Sequence, residues 1–166
     1  KDSTGICFIG ERNFTKFLKN YLPNQNGKIV DYETKEVLGE HNGLMYYTIG
    51  QRKGLNLGGS SDKIFVVKKD IEHNILYVCN GNDNDYLYSN KAIITDFNFL
   101  TDDRVEECTC KFRYRQTDIP CKVKYLDDSK LELTYDNAKA VTPGQFCVLY
   151  KGDLCLGGGI IDKVLK

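Results

Sequence analysis

Cys7 stands in the string D-S-T-G-I-C-F-I-G-E-R (residues 2–12), bracketed by Gly5 and Gly10, with Arg12 and Lys16 close behind. A thiolate near positive charge and a helix N-terminus has a lowered pKa and becomes a nucleophile. The same residues fit a purely structural cysteine, because no base stands beside it. A second polar, glycine-punctuated stretch runs from His41-Asn42-Gly43 to G-Q-R-K-G (residues 50–54). Glycine permits tight turns and close approach of backbone to a ligand. Arg52 and Lys53 can there meet phosphate, or simply face solvent.

K-F-R-Y-R (residues 111–115) is more pointed. On a strand, Lys111, Arg113 and Arg115 share one face, and Phe112 and Tyr114 share the other. A basic strand face is a phosphate rail or an ordinary solvated face, and Tyr114 can stack on a base if the strand end turns outward. T-P-G-Q (142–145) is a turn that delivers Gln145 to the start of a strand, where its amide can meet RNA. L-G-G-G-I-I (156–161) suits a bulge at a barrel seam better than a phosphate cradle, since no P-loop lysine follows. The seven cysteines offer one close pair, Cys108 and Cys110, with no second pair to answer it. No metal site is expected, and the pair is expected to face a core. No Ser-His-Asp pattern or nucleotide-binding fingerprint stands out.

These residues need elements to position them. The 166-residue chain carries 23 basic and 23 acidic residues, so any nucleic-acid contact must come from local clusters rather than from net charge. No stretch approaches the roughly 20 apolar residues of a membrane span. With no secretion signal read and an odd cysteine count, a cytoplasmic protein with reduced thiols is expected. The chain opens on Lys1 directly into dense sequence, which reads as a piece of a longer protein.

Residues 13–22 are expected to form a helix, capped by Asn13 and striped by Phe14, Phe17, Leu18 and Tyr21 at i, i+3, i+4, i+7. Strands are expected over residues 27–32, 44–49, 63–69 and 75–79, and the polar stretch 80–90 reads as a linker. Six further strands follow, over 91–100, 105–115, 119–125, 130–135, 145–150 and 154–164. The expected fold is mainly β: a small mixed α/β domain with one N-terminal helix over residues 1–88, then a six-stranded β-barrel over 89–166.

Five strings taken together resemble the tRNA-specific 2-thiouridylase family: residues 2–12, G-E-H-N-G-L-M-Y-Y-T-I-G-Q-R-K-G-L (39–55), R-Y-R-Q-T-D-I-P-C (113–121), A-V-T-P-G-Q (140–145) and C-L-G-G-G-I-I (155–161). The resemblance runs the length of the chain and reaches only the central and C-terminal domains of that family. It implies an ATP-dependent sulfurtransferase that makes 2-thiouridine at the wobble position of tRNAs for Lys, Glu and Gln. ATP would bind in an N-terminal domain that this sequence does not match, with a second catalytic cysteine there. Cys7 would receive sulfur as a persulfide from a cysteine desulfurase or relay protein, and would end the cycle in a disulfide with that second cysteine. Arg113, Tyr114 and Gln145 would contact tRNA, with Arg52, Lys53 and Arg115 as further phosphate contacts. Alone, these 166 residues would hold tRNA without thiolating it.

Overall fold

The computed structural model describes Phe17 and residues 20–55, 57, 63–81 and 84–166. Cys7 and most of the expected helix over residues 13–22 lie outside these. Within that stretch, the Asn20 N–H donates to the Phe17 carbonyl at 3.2 Å, and the Phe17 and Tyr21 rings lie 5.2 Å apart. The chain divides into two compact units, Lys1–Asn82 and Asp83–Lys166.

The first unit holds a four-stranded mixed sheet: β1 (Gly27–Asp31), β2 (Val37–His41), β3 (Ile64–Asp70) and β4 (Ile75–Asn80), in the order β2-β1-β4-β3. β1 runs parallel to β4, and the other pairs are antiparallel. Ile29, Val66, Leu76 and Val78 alternate onto one face and pack under Tyr47 and Leu55. The Asp31 carboxylate turns the chain into β2 by accepting the Glu33 and Thr34 N–H groups, each at 2.9 Å.

One expected strand is missing here and one unexpected strand is present. Residues 44–49 form no strand: Leu44–Tyr46 is a 3-10 turn, entered through Gly43 at φ 144°. The apolar side chains of that stretch (Leu44, Tyr46, Tyr47, Ile49) pack against the sheet from a loop instead. In their place β2 pairs with β1, although V-L-G-E-H shows little alternation and exposes Val37 and Leu38. It is an edge strand, held by its partner's backbone rather than by its own burial.

The second unit is a closed barrel of β5 (Tyr88–Phe99), β6 (Glu107–Lys111), β7 (Ile119–Tyr125), β8 (Leu131–Lys139), β9 (Phe146–Lys151) and β10 (Leu154–Leu165), in the order β10-β5-β8-β7-β6-β9. Closure leaves no open sheet edge. Inward side chains such as Ile94, Cys110, Leu133, Cys147, Leu149 and Ile161 fill the interior. The glycine run carries register shifts of the kind the expected bulge makes. A Cβ on Gly157 would collide with the Asn98 carbonyl, and one on Gly159 would lie 2.7 Å from the Thr95 carbonyl. The backbone of β10 approaches β5 too closely there for any side chain.

Candidate functional site

β6 ends at Lys111, four residues earlier than its sequence suggests. The phosphate rail of Lys111, Arg113 and Arg115 on one strand face is therefore not formed. Phe112 drops into the barrel core while Tyr114 stands 95% exposed, so those two do not share a face either. The physical cause is Gln116, whose side-chain carbonyl accepts the Phe112 N–H at 2.8 Å while its own N–H donates to the Arg113 carbonyl at 3.1 Å. A side chain thus takes the backbone donor that a longer ladder would have used. Residues 112–116 become a projecting turn between β6 and β7.

That turn meets a second one. Thr142 and Gly144 shape the entry to β9: the Gln145 N–H donates to the Thr142 carbonyl at 3.2 Å and the Gly144 N–H to the Ile161 carbonyl at 2.8 Å. Gly144 sits at φ 84°, a left-handed conformation that favours glycine. Along β9 the side-chain period of two sends Cys147 and Leu149 inward and leaves Phe146, Val148 and Tyr150 on the outer face. Val148 is the register partner of Lys111 on β6.

These elements enclose an open groove of about 700 Å³, lined by Lys111, Arg113, Tyr114, Gln145, Phe146 and Tyr150, among others. Arg113 and Tyr114 come from one turn and Gln145 from another about thirty residues on, and all three line the same groove. Arg115 is exposed on the first turn and is not among the lining residues. Two cations and four aromatic residues line the groove, Phe112 from the core side, and no carboxylate is among the lining residues. Asp118 stands beside it, 2.7 Å from the Lys111 ammonium. That hydrogen bond holds the Lys111 pKa above and the Asp118 pKa below their ordinary values. The Lys111 ammonium also lies 5.4 Å from the centre of the Tyr150 ring. Sequence reasoning missed Phe146 and Tyr150. The outward alternation of F-C-V-L-Y beside the T-P-G-Q turn was the available signal.

In the first unit, Arg52 and Lys53 are exposed in a loop stitched by Gln51. The Gln51 amide accepts the Thr48 N–H at 3.0 Å and donates to the Lys53 carbonyl at 2.9 Å. His41, fully buried, anchors the start of the same loop. Its Nδ1 accepts the Gly43 N–H at 3.0 Å, which puts the ring proton on Nε2, 3.2 Å from the Asn74 carbonyl. Burial pushes the His41 pKa below its ordinary value, against the opposing pull of the Asn74 carbonyl.

Cys108 and Cys110 both face the barrel core as expected, Cys110 within it and Cys108 packed against it at its margin. Cys110 is fully buried, while Cys108 is half-buried opposite Cys121, its sulfur 3.6 Å from that of Cys121. Hydrogen bonding to Cys121 and burial push the Cys108 thiol well up. Cys121 is pushed up to about 12, because its bond with Cys108, which lowers it, is outweighed by Cys110 and burial. Among the described residues no cluster of three or more His, Cys, Asp or Glu side chains is placed to hold a metal ion. No helix among them is long and apolar enough to cross a membrane.

Comparison with known proteins matches each unit. Residues 15–80 fit the family described as tRNA methyl transferase PRC-barrel domain, and residues 89–161 fit the aminomethyltransferase beta-barrel domain. The chain is thus a small mixed-sheet unit followed by a closed barrel, and the barrel is the part that fits the aminomethyltransferase beta-barrel description. The chain is 58% identical to the tRNA-specific 2-thiouridylase MnmA of Mesoplasma florum, covering 99% of this chain and 46% of that protein. It is 55% identical to the protein of that name from Geobacillus thermodenitrificans and 54% to that from Neisseria meningitidis serogroup A, with 100% of this chain and 46% of each relative covered. The chain belongs to the tRNA-specific 2-thiouridylase family and spans about half the length of the curated relatives it matches.

Proposed function

We propose that this chain is the sulfur-carrying and tRNA-holding half of a tRNA-uridine 2-sulfurtransferase, a cytoplasmic enzyme that makes 2-thiouridine at the wobble position of tRNAs for Lys, Glu and Gln. Cys7 takes sulfur as a persulfide from a cysteine desulfurase or relay protein. The barrel groove holds the RNA through Arg113, Tyr114 and Gln145, and Arg52, Lys53 and Arg115 add phosphate contacts. One observation supports the reading: three residues that the family resemblance ties to tRNA, drawn from two turns about thirty residues apart, line a single cationic and aromatic groove.

The glycine run of β10 is not a phosphate cradle. The glycine run at 157–159 is strand backbone packed against Asn98 and Thr95, with no room to wrap phosphate. The reading therefore assigns ATP to the half of the relatives that this chain does not span. By themselves these residues bind tRNA and do not thiolate it.

Two measurements test the proposal. Mass spectrometry after incubation with a persulfide donor should find the extra sulfur on Cys7, and sulfur on another cysteine instead would defeat the assignment. Filter binding of a tRNA transcript across a salt series should show affinity that falls with salt and weakens in Arg113→Ala. Equal affinity in the variant would remove the groove from the RNA site.

A further inference from the structure

We infer that the barrel groove is a clamp for one unpaired nucleotide, in which Phe146 and Tyr114 stack on the base while Lys111 and Arg113 take its phosphate. The inference rests on the reading of the barrel as an RNA-binding module and names what part of an RNA it holds.

Phe146 carries the argument. It lies on the outer face of β9 and stays 66% exposed, and its ring has no polar atom to offer. A single exposed aromatic is ordinary. Here Phe146, Tyr114 and Tyr150 line the same groove, with two cations and no carboxylate. A groove meant only for the phosphates of a duplex needs cations and hydrogen-bond donors, because stacked base pairs present no ring face to a protein. Rings interleaved with cations fit a nucleotide pulled out of its stack, whose base lies on a ring while its phosphate meets a cation.

The remaining lining residues suit that occupant. Gln145 brings an amide with both donor and acceptor character, able to meet a base edge. The Lys111 ammonium has three N–H donors, and its contact with Asp118 leaves others for a phosphate oxygen. The groove's volume of about 700 Å³ lies in the range of roughly 300–1,000 Å³ usual for sites that enclose a small ligand.

The test uses the full 166-residue chain, its Phe146→Ala and Phe146→Tyr variants, and three RNAs: a short single strand carrying 2-aminopurine, a blunt duplex and a tRNA transcript. Binding of the parent chain should quench the 2-aminopurine fluorescence as the base stacks. Phe146→Ala should weaken single-strand binding by roughly five- to a hundredfold. Phe146→Tyr should restore it, and duplex affinity should stay as it was. Absence of quenching on binding by the parent overturns the clamp without recourse to any variant. So does a Phe146→Ala variant that binds the single strand as tightly as the parent while Arg113→Ala still weakens tRNA binding, and in that case the RNA reading survives. If the parent binds none of the three RNAs even at low salt, the RNA reading fails with it, and the groove becomes a surface for a protein partner.

Discussion

The Arg113 guanidinium donates a 2.9 Å hydrogen bond from Nη2 to the carbonyl of Ala140, and so ties the turn after β6 to the chain leading into β9. Ala140 sits at φ 53°, a left-handed conformation unusual for alanine, and its carbonyl also accepts the Thr142 hydroxyl at 3.0 Å. One side chain therefore both charges the groove and joins its two walls. Arg113→Ala should weaken tRNA binding, lower the salt slope by about one phosphate contact and cost about 1 kcal/mol of stability. Arg113→Lys should keep most of the salt slope but lose the stability, because a single ammonium replaces a fork of donors. Binding isotherms over a salt series and chemical denaturation separate the two effects.

The Lys111–Asp118 pair predicts a change in the opposite direction. Asp118 holds Lys111 at 2.7 Å and accepts the Thr109 hydroxyl at 3.2 Å, so its negative charge offsets a cation that faces the groove. Asp118→Asn keeps the shape and removes that charge. Binding of tRNA should tighten, and the slope of log affinity against log salt should steepen by about one contact. Unchanged affinity in Asp118→Asn would show that Lys111 does not meet RNA.

Ser89 on β5 and Tyr135 on β8 share a buried hydrogen bond of 2.8 Å between their hydroxyls. Burial pushes the Tyr135 phenol up to about 12, against the Ser89 bond that lowers it. Tyr135→Phe leaves the Ser89 hydroxyl buried without its partner and should destabilise the barrel by about 1–3 kcal/mol. The double change Ser89→Ala with Tyr135→Phe should cost less than the two single changes added together, because neither polar group then remains to be satisfied. Urea denaturation of the four proteins gives the coupling.

The barrel was legible because its strands alternate and its turns carry strong signals. I-P-C-K-V-K-Y over residues 119–125 shows both, and β7 matches its expected span (Ile119–Tyr125). β2 was not legible, since V-L-G-E-H takes its strand state from pairing with β1 and carries little pattern of its own. The stretch at 44–49 misled because Leu44, Tyr46, Tyr47 and Ile49 pack on a core from a loop, and burial leaves the same apolar residues whichever backbone carries them. At the groove, the alternating charges of K-F-R-Y-R suggested a strand that Gln116 interrupts. Interruption by a side chain four residues away leaves no periodic trace. Arg113, Tyr114 and Gln145 were readable as candidates from their own strings, family resemblance singled them out, and their convergence needed the barrel's closure.

His41 gives a dependence of stability on pH. Its Nδ1 accepts the Gly43 N–H, so a proton there would break the bond that shapes the loop. Burial lowers its pKa in the folded chain, so near and below neutrality the unfolded chain binds more protons. The contribution is fully present above the unfolded value of about 6.5 and is lost as pH falls toward the lowered folded value. Denaturation at pH 7.5 and pH 5.5 should show lower stability at the acid end. In His41→Asn that difference should shrink, with lower stability at both pH values because Gly43 and Asn74 lose their partner.

Five of the described thiols should stay silent where the proposed function has Cys7 react. Cys79, Cys110 and Cys147 are buried, and the Cys108 and Cys121 thiols are pushed well above the ordinary range. Only the thiolate is nucleophilic, so at pH 7.5 these five should resist alkylation while the chain is folded. Iodoacetamide for a short time, followed by peptide mass spectrometry, should find Cys7 modified first and these five only after denaturant is added. Rapid labelling of Cys108 in the folded chain would mean that the β6–β7 pair opens on that timescale and that its sulfur competes with Cys7 for a persulfide donor. In that event Cys108→Ser should raise the share of donated sulfur found on Cys7, and an unchanged share would leave the β6–β7 thiols out of the relay.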